Sequence, residues 1–221
     1  FDLRDNGGGL LDIAVMICDE FLADKQVIVY TMGRNLKKEF KYASSNGKLS
    51  DTEVIVLIDE NSASASEIVA GAIQDNDRGF IVGRRSFGKG LVQRQTELSD
   101  GSALRLTTAR YYTPTGRCIQ KSYANGYDEY REEEVNRFDK GELLSADSIR
   151  FPDSLKFKTP KGKIVYGGGG IMPDLFVPID TATRSEYLNE LFFKGLINQF
   201  SFDYSDKHRS DLEGSGIEKF K

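Results

Sequence analysis

Val54-Ile55-Val56-Leu57-Ile58-Asp59-Glu60-Asn61-Ser62-Ala63-Ser64-Ala65-Ser66-Glu67-Ile68-Val69-Ala70-Gly71-Ala72-Ile73-Gln74 decides how this chain folds. Val54 to Ile58 is an unbroken apolar run, the pattern of a strand buried on both faces. Ser64 to Gln74 has helical spacing, with Ile68, Ala72 and Ile73 as the inner stripe. A strand that turns directly into a helix places the turn at the carboxyl edge of a sheet, where α/β folds build their sites. It also aims the helix N-terminal amides at whatever binds there. Small residues around Ser64 leave room for a substrate carbonyl. A purely local explanation exists too: Ser64 and Glu67 have the spacing of a capping box.

Working outward, the elements alternate. Phe1 to Leu3 reads as a strand end, and Asp5-Asn6-Gly7-Gly8-Gly9 as a turn. Leu10 to Leu22 carries apolar residues at helical spacing (Leu10, Ile13, Ala14, Ile17, Phe21). Val27 to Thr31 is β-branched, Lys38 to Tyr42 alternates weakly, and Phe80 to Val82 is a second buried strand. Residues 1–90 therefore predict a layered α/β arrangement. From Leu91 the chain becomes strand-rich, with runs at Leu91–Thr96 and Ala103–Tyr112. Residues 121–160 are highly charged and irregular and read as a solvated insertion or lid. A strand at Lys163–Tyr166, a glycine run at 167–170 and a single amphipathic helix over Glu186–Ile197 follow, before a polar tail. The expected division is a core over 1–120, the insertion over 121–160, and a C-terminal part over 161–221.

Composition narrows the function. The 221 residues are 39% hydrophobic and 29% charged, with a net charge of −4 and no clustered basic stripe. That excludes the usual electrostatic footprint of a nucleic-acid partner. No apolar run approaches the roughly 18–20 residues of a membrane span. Cys18 and Cys118 have no metal-site or small-scaffold spacing, so no disulfide and no metal centre are expected. The single histidine, His208, sits in a charged segment near the end and reads as a surface residue. A histidine-based triad thus has one poorly placed candidate.

Serine is a weak nucleophile until a base takes its proton. With histidine nearly absent, lysine is the candidate, and Lys89 lies between glycines in Ser86-Phe87-Gly88-Lys89-Gly90, just after a strand. A free lysine has a pKa of about 10.4, and burial disfavours its charged form. Two other motifs share this lysine. Gly83 to Lys89 copies most of a phosphate-binding loop, but Gly90 stands where Ser or Thr should hold Mg²⁺, and a strand follows where a helix should. Ser86-x-x-Lys89 copies the spacing of penicillin-binding enzymes, but Gly88 argues against the helical turn those need.

Five segments, in order, resemble the C-terminal processing peptidases, also called tail-specific proteases, of the S41 type. They are Asp2-Leu3-Arg4-Asp5-Asn6-Gly7-Gly8-Gly9, Ser62-Ala63-Ser64-Ala65-Ser66-Glu67-Ile68, Phe87-Gly88-Lys89-Gly90-Leu91-Val92-Gln93, Tyr112-Thr113-Pro114-Thr115-Gly116-Arg117, and Gly170-Ile171-Met172-Pro173-Asp174. The resemblance implies an α/β fold, a layered core of the crotonase and Clp-protease kind with a strand-rich C-terminal part. It implies Ser64 as nucleophile, Lys89 as general base and Gln93 as the residue that orients the lysine. It places the oxyanion hole at the amides of Ala65 and a glycine of the Gly7–Gly9 turn, with Gly8 the expected one. Ser66 is expected to bond backbone, and Ser62 to shape the turn. The chain departs from the family in having Gly7 where proline is common.

The resemblance further implies hydrolysis of polypeptides with apolar C-termini, no cofactor, an extracytoplasmic location, and a PDZ domain and further core strands upstream of Phe1. Two rival functions stand beside it: a non-catalytic S41-like module that binds peptides, and a nucleotide-binding protein using Gly83 to Lys89.

Overall fold

A computed structural model describes residues 1–34, 36–124, 126–181 and 185–212. The chain divides into two compact units, Phe1–Ile179 and Asp180–Lys221.

The first unit opens with residues 1–3 lying alongside β3 (Ile55–Ile58): Leu3 N–H donates to Leu57 O and Leu57 N–H to Phe1 O, both at 2.9 Å. Helix α1 (Leu11–Phe21) follows the glycine turn and buries Ala14 and Cys18. Strands β1 (Val27–Gly33) and β2 (Leu36–Tyr42) form an antiparallel hairpin. After β3 comes α2 (Ala65–Asp75), then β4 (Phe80–Gly83), parallel to β3. Strands β5 (Leu91–Glu97) and β6 (Ala103–Tyr112) make a long antiparallel ribbon. Helix α3 (Tyr127–Asp139), a short pair β7 (Lys156–Lys158) and β8 (Ile164–Tyr166), and β9 (Leu175–Phe176) complete the unit. The strand orders are β2-β1-β6-β5 and β3-β4-β9, with β7-β8 separate.

Helix α2 is buried along its whole length, because it packs on α1, β1 and β4 at once. The expected one-sided stripe of Ile68, Ala72 and Ile73 underestimates it. Polar groups inside such a helix need partners. At its far end Asp75, 1% exposed, pairs with the fully buried Arg117 at 2.6 Å, and Gln74 also accepts from that guanidinium.

Three expectations change. The run Val54–Ile58 is buried on one face only: Val56 and Ile58 are inside, while Ile55 is 53% exposed, as is Phe80 at 65% on the neighbouring strand. The charged stretch 121–160 is not irregular throughout; it contains α3, and Arg137 and Glu142 within it are buried. The predicted helix Glu186–Ile197 is two helices, α4 (Glu186–Phe193) and α5 (Leu196–Lys207), because Gly195 takes a left-handed φ of 65° and ends the first. These two, with α6 (Arg209–Leu212), make up the described part of the second unit, where His208 stacks on Tyr204.

Candidate active site

The carboxyl ends of the parallel neighbours β3 and β4 supply the two loops of the site. After β3, the Asp59 carboxylate accepts from the amides of Asn61 and Ser62 and from Asp5 N–H, folding the turn and tying it to the N-terminal segment. The three serines then part company. Ser62 is fully buried and donates to Leu3 O at 2.7 Å. Ser66, 3% exposed, donates to Asn6 O at 2.9 Å. Both expectations for these residues match. Ser64 alone is half-buried and reaches the cavity. Its backbone sits at φ 56°, ψ −114°, outside the ordinary regions for a side-chain-bearing residue. Such strain persists only where the surroundings impose it, as in a sharp strand-to-helix turn that pushes a side chain outward.

Gly8 packs against this turn from the other side. It has φ 92°, and a Cβ there would lie 2.5 Å from Ala63 O and 2.6 Å from Ala65 N, so only glycine fits. Its own N–H donates to Asn6 Oδ1 at 2.9 Å. The N–H groups of Ala65, Gly7 and Gly9 have no hydrogen-bond partner among the described residues.

After β4, the loop 84–90 carries Lys89. Glu67, one turn into α2 and fully buried, joins this loop to the serine turn. Its Oε1 accepts from Ser86 Oγ at 2.5 Å and Gly88 N–H at 2.7 Å; its Oε2 accepts from Lys89 N–H at 2.8 Å and Ser64 N–H at 2.9 Å. Burial pushes this carboxyl up from its ordinary value, while the donors from Ser86, Lys89, Gly88 and Ser64 pull the other way. The loop that resembled a phosphate cradle thus cradles its own carboxylate, and β5 follows it. Ser86 is buried, donating to Glu67 and accepting from Ile171 N–H, so it is a structural hydroxyl.

Tyr111 supplies the second tie. Its buried hydroxyl lies between Ser64 O, at 2.9 Å, and Lys89 O. From behind, the guanidinium of Arg137 on α3 donates to Arg85 O and Ser86 O, and Glu142 accepts from both Arg85 and Arg137. Lys121 Nζ stands 4.1 Å from the Phe87 ring centre and 4.2 Å from that of Tyr130. The charged stretch therefore braces the lysine loop.

Ser64, Lys89, Gln93, Gly8 and Ala65 all line one cavity of about 510 Å³, with Tyr111 at its wall. Lys89 Nζ has no hydrogen-bond or ion-pair partner among the described residues, and Gln93 makes no hydrogen bond to it. The sequence reading missed Glu67 as a tie, seeing only a cap, and missed Tyr111 and Arg137. The partners by which they tie the loops lie 19 to 52 residues away, and no local pattern encodes them.

Comparison with known proteins settles the lineage. Residues 1–126 match peptidase family S41. The chain belongs to that family. A carboxy-terminal-processing protease of Bartonella bacilliformis is 53% identical over 120 residues, which is 54% of this chain and 27% of the relative. A carboxyl-terminal-processing protease of a Picosynechococcus strain is 45% identical over 120 residues, 54% of this chain and 28% of the relative. This S41 chain therefore spans about a quarter of the length of those relatives. Among solved structures, the photosystem II D1 C-terminal processing protease superposes with a TM-score of 0.54 at 30% identity, covering 80% of this chain and 33% of that one. Similar proteins come from bacteria and from chloroplasts. No helix among the described residues is long and apolar enough to cross a membrane.

Proposed function

We propose that this chain carries the catalytic centre of a serine endopeptidase that cuts polypeptides near their C-termini through a Ser64–Lys89 dyad. One observation carries the reading: the only half-exposed serine of the run, held at a strained helix N-terminus, shares a cavity with a lysine whose Nζ has no partner among the described residues. Neutral Lys89 accepts the Ser64 proton as Oγ bonds to the scissile carbonyl carbon. The resulting ammonium gives that proton to the leaving amine as the C–N bond breaks, leaving an acyl-serine. Water, deprotonated by Lys89, then releases the acyl group and restores Ser64.

Charge on the carbonyl oxygen needs preorganised donors. Ala65 N–H, at the positive end of α2, is one. The glycine turn supplies the other: the amides of Gly7 and Gly9 are uncommitted, and Gly8 becomes a donor if Asn6 releases it. Gln93 orients the Lys89 amine from β5 once substrate is present. Because β5 is the end strand of its sheet, an extended peptide can lie along it. Substrates with apolar C-termini, a peptide-capturing PDZ domain elsewhere in the protein and an extracytoplasmic location belong to the same proposal and rest on the resemblance; the names of the relatives support processing at the C-terminus.

The test is hydrolysis of an unfolded protein with an apolar C-terminus by the full-length protein, beside Ser64→Ala and Lys89→Ala. Loss in both variants with unchanged circular dichroism is expected. Undiminished hydrolysis by Ser64→Ala would sink the mechanism. Peptide binding without hydrolysis in all three would favour the binding-module reading.

A further inference from the structure

The cavity that holds Ser64 and Lys89 is chemically lopsided. Leu10, Leu11, Ile68, Leu91 and Val92 give it an apolar wall. Its charged lining residues are Lys89 and Arg105, and no carboxylate lines it among the described residues. Arg105 is set by the register of the ribbon. It stands directly opposite Gln95, as Thr107 stands opposite Gln93, so these side chains share one face of β5–β6. One guanidinium nitrogen, Nη2, donates to Gln95 Oε1 at 2.9 Å, which holds the side chain along the ribbon. No carboxylate pairs with Arg105 among the described residues, so its remaining N–H groups are open to a ligand.

We propose that Arg105, oriented by Gln95, is a carboxylate-reading subsite of the cleavage cavity, and that the carboxylate it takes is the free C-terminus of the polypeptide being cut. This rests on the peptidase reading above. A planar guanidinium with unpaired donors is the side chain best matched to a carboxylate. The position also fits a terminus. From Leu91, where β5 begins beside the site, to Gln95 the ribbon advances four residues, about 13 Å at roughly 3.3 Å per residue. An extended substrate with its terminal carboxylate at Arg105 would present to Ser64 a bond a few residues upstream. The cavity would then measure the distance from the end of the chain.

Binding tests this without relying on catalysis. Fluorescent ten-residue peptides with apolar sequences are titrated onto full-length Ser64→Ala protein and onto Ser64→Ala/Arg105→Gln. Three forms are used: a C-terminal free acid, a C-terminal amide, and an amide whose last residue is Glu. The free acid should bind roughly tenfold more tightly than the amide to Ser64→Ala, and Arg105→Gln should cut that advantage severalfold. It should also shrink as salt rises. Arg105→Lys should restore part of it. Equal affinities for acid and amide, or an advantage left unchanged by Arg105→Gln, would overturn the proposal. Tight binding of the Glu-ended amide would overturn the assignment to the terminal carboxylate in favour of an acidic side chain. If the discrimination holds but the unmodified protein hydrolyses nothing, the peptidase reading fails and the subsite stands.

Discussion

The two loops of the site start from adjacent parallel strands and are built differently. The β3 loop runs into α2, a helix buried along its full length, and its Ser64 is held at a strained backbone angle. The β4 loop runs into the exposed β5–β6 ribbon, and its Lys89 has no partner for Nζ among the described residues. The proposed nucleophile is thus fixed by its own element, whereas the proposed base is positioned from outside. Glu67 ties the amides of the two loops together, Tyr111 ties their carbonyls, and Arg137 holds the base loop from behind. A rigid nucleophile with an externally held base predicts that damage to the ties will lower turnover before it unfolds the protein.

The largest effect should come from the nucleophile side. Gly8→Ala forces a Cβ to within 2.5 Å of Ala63 O at a φ of 92°, so the serine turn must move. Strain of this type costs about 1–3 kcal/mol. Hydrolysis should fall by roughly a hundredfold or more, because small displacements at a reacting centre are that costly. A Gly8→Ala protein with ordinary activity would show that the turn is less constrained than its geometry implies.

Glu67→Gln comes next. A neutral amide has one acceptor oxygen and two donors, so it cannot take four donors, and its NH₂ would face the amides it replaces acceptors for. Turnover should drop about tenfold to a hundredfold with a smaller change in KM, and thermal unfolding should shift down. An unchanged kcat would break the idea that the base loop depends on this tie. Tyr111→Phe removes a hydroxyl but leaves its two carbonyls buried. It should cost about 1–3 kcal/mol in a denaturant titration, with a severalfold loss of kcat.

The smallest effect concerns the rear brace and pH. Burial raises the Glu142 carboxyl, but the hydrogen bonds and charges of Arg85 and Arg137 outweigh it and hold the group below its usual 4.5. A carboxyl depressed in the folded state adds stability above its unfolded value, and that stability is lost as pH falls through the lower, folded one. Thermal midpoints should therefore decline below about pH 4.5, and less steeply in Glu142→Gln. An identical slope in both proteins would remove Glu142 from the brace.

The legible part of this molecule was the part written in contiguous residues. The β3–α2 turn, the glycine-flanked lysine and the ribbon strands could be read, because period, turn chemistry and small residues around a serine are local signals. The sheet β3-β4-β9 was misjudged because an apolar run says nothing about which face is covered; Ile55 and Phe80 show an open one. Glu67 reads as a cap in the sequence because its second set of partners lies 19 to 22 residues on. Helix α3 is hidden by its charge, two members of which, Glu133 and Arg137, turn inward to Arg85, Lys121 and the loop carbonyls. Gly195 was the missed local signal, since a glycine inside a helical pattern marks a left-handed end.

The central claim is that Ser64 is activated by Lys89. A serine-reactive phosphonate probe, followed by intact mass and peptide mapping, tests it most directly. The account predicts a single adduct on Ser64 in the unmodified protein, and labelling at least a hundredfold slower in Lys89→Ala, the scale expected for losing a general base. An adduct on Ser62, Ser66 or Ser86, or labelling of Ser64 at the same rate without Lys89, would contradict it.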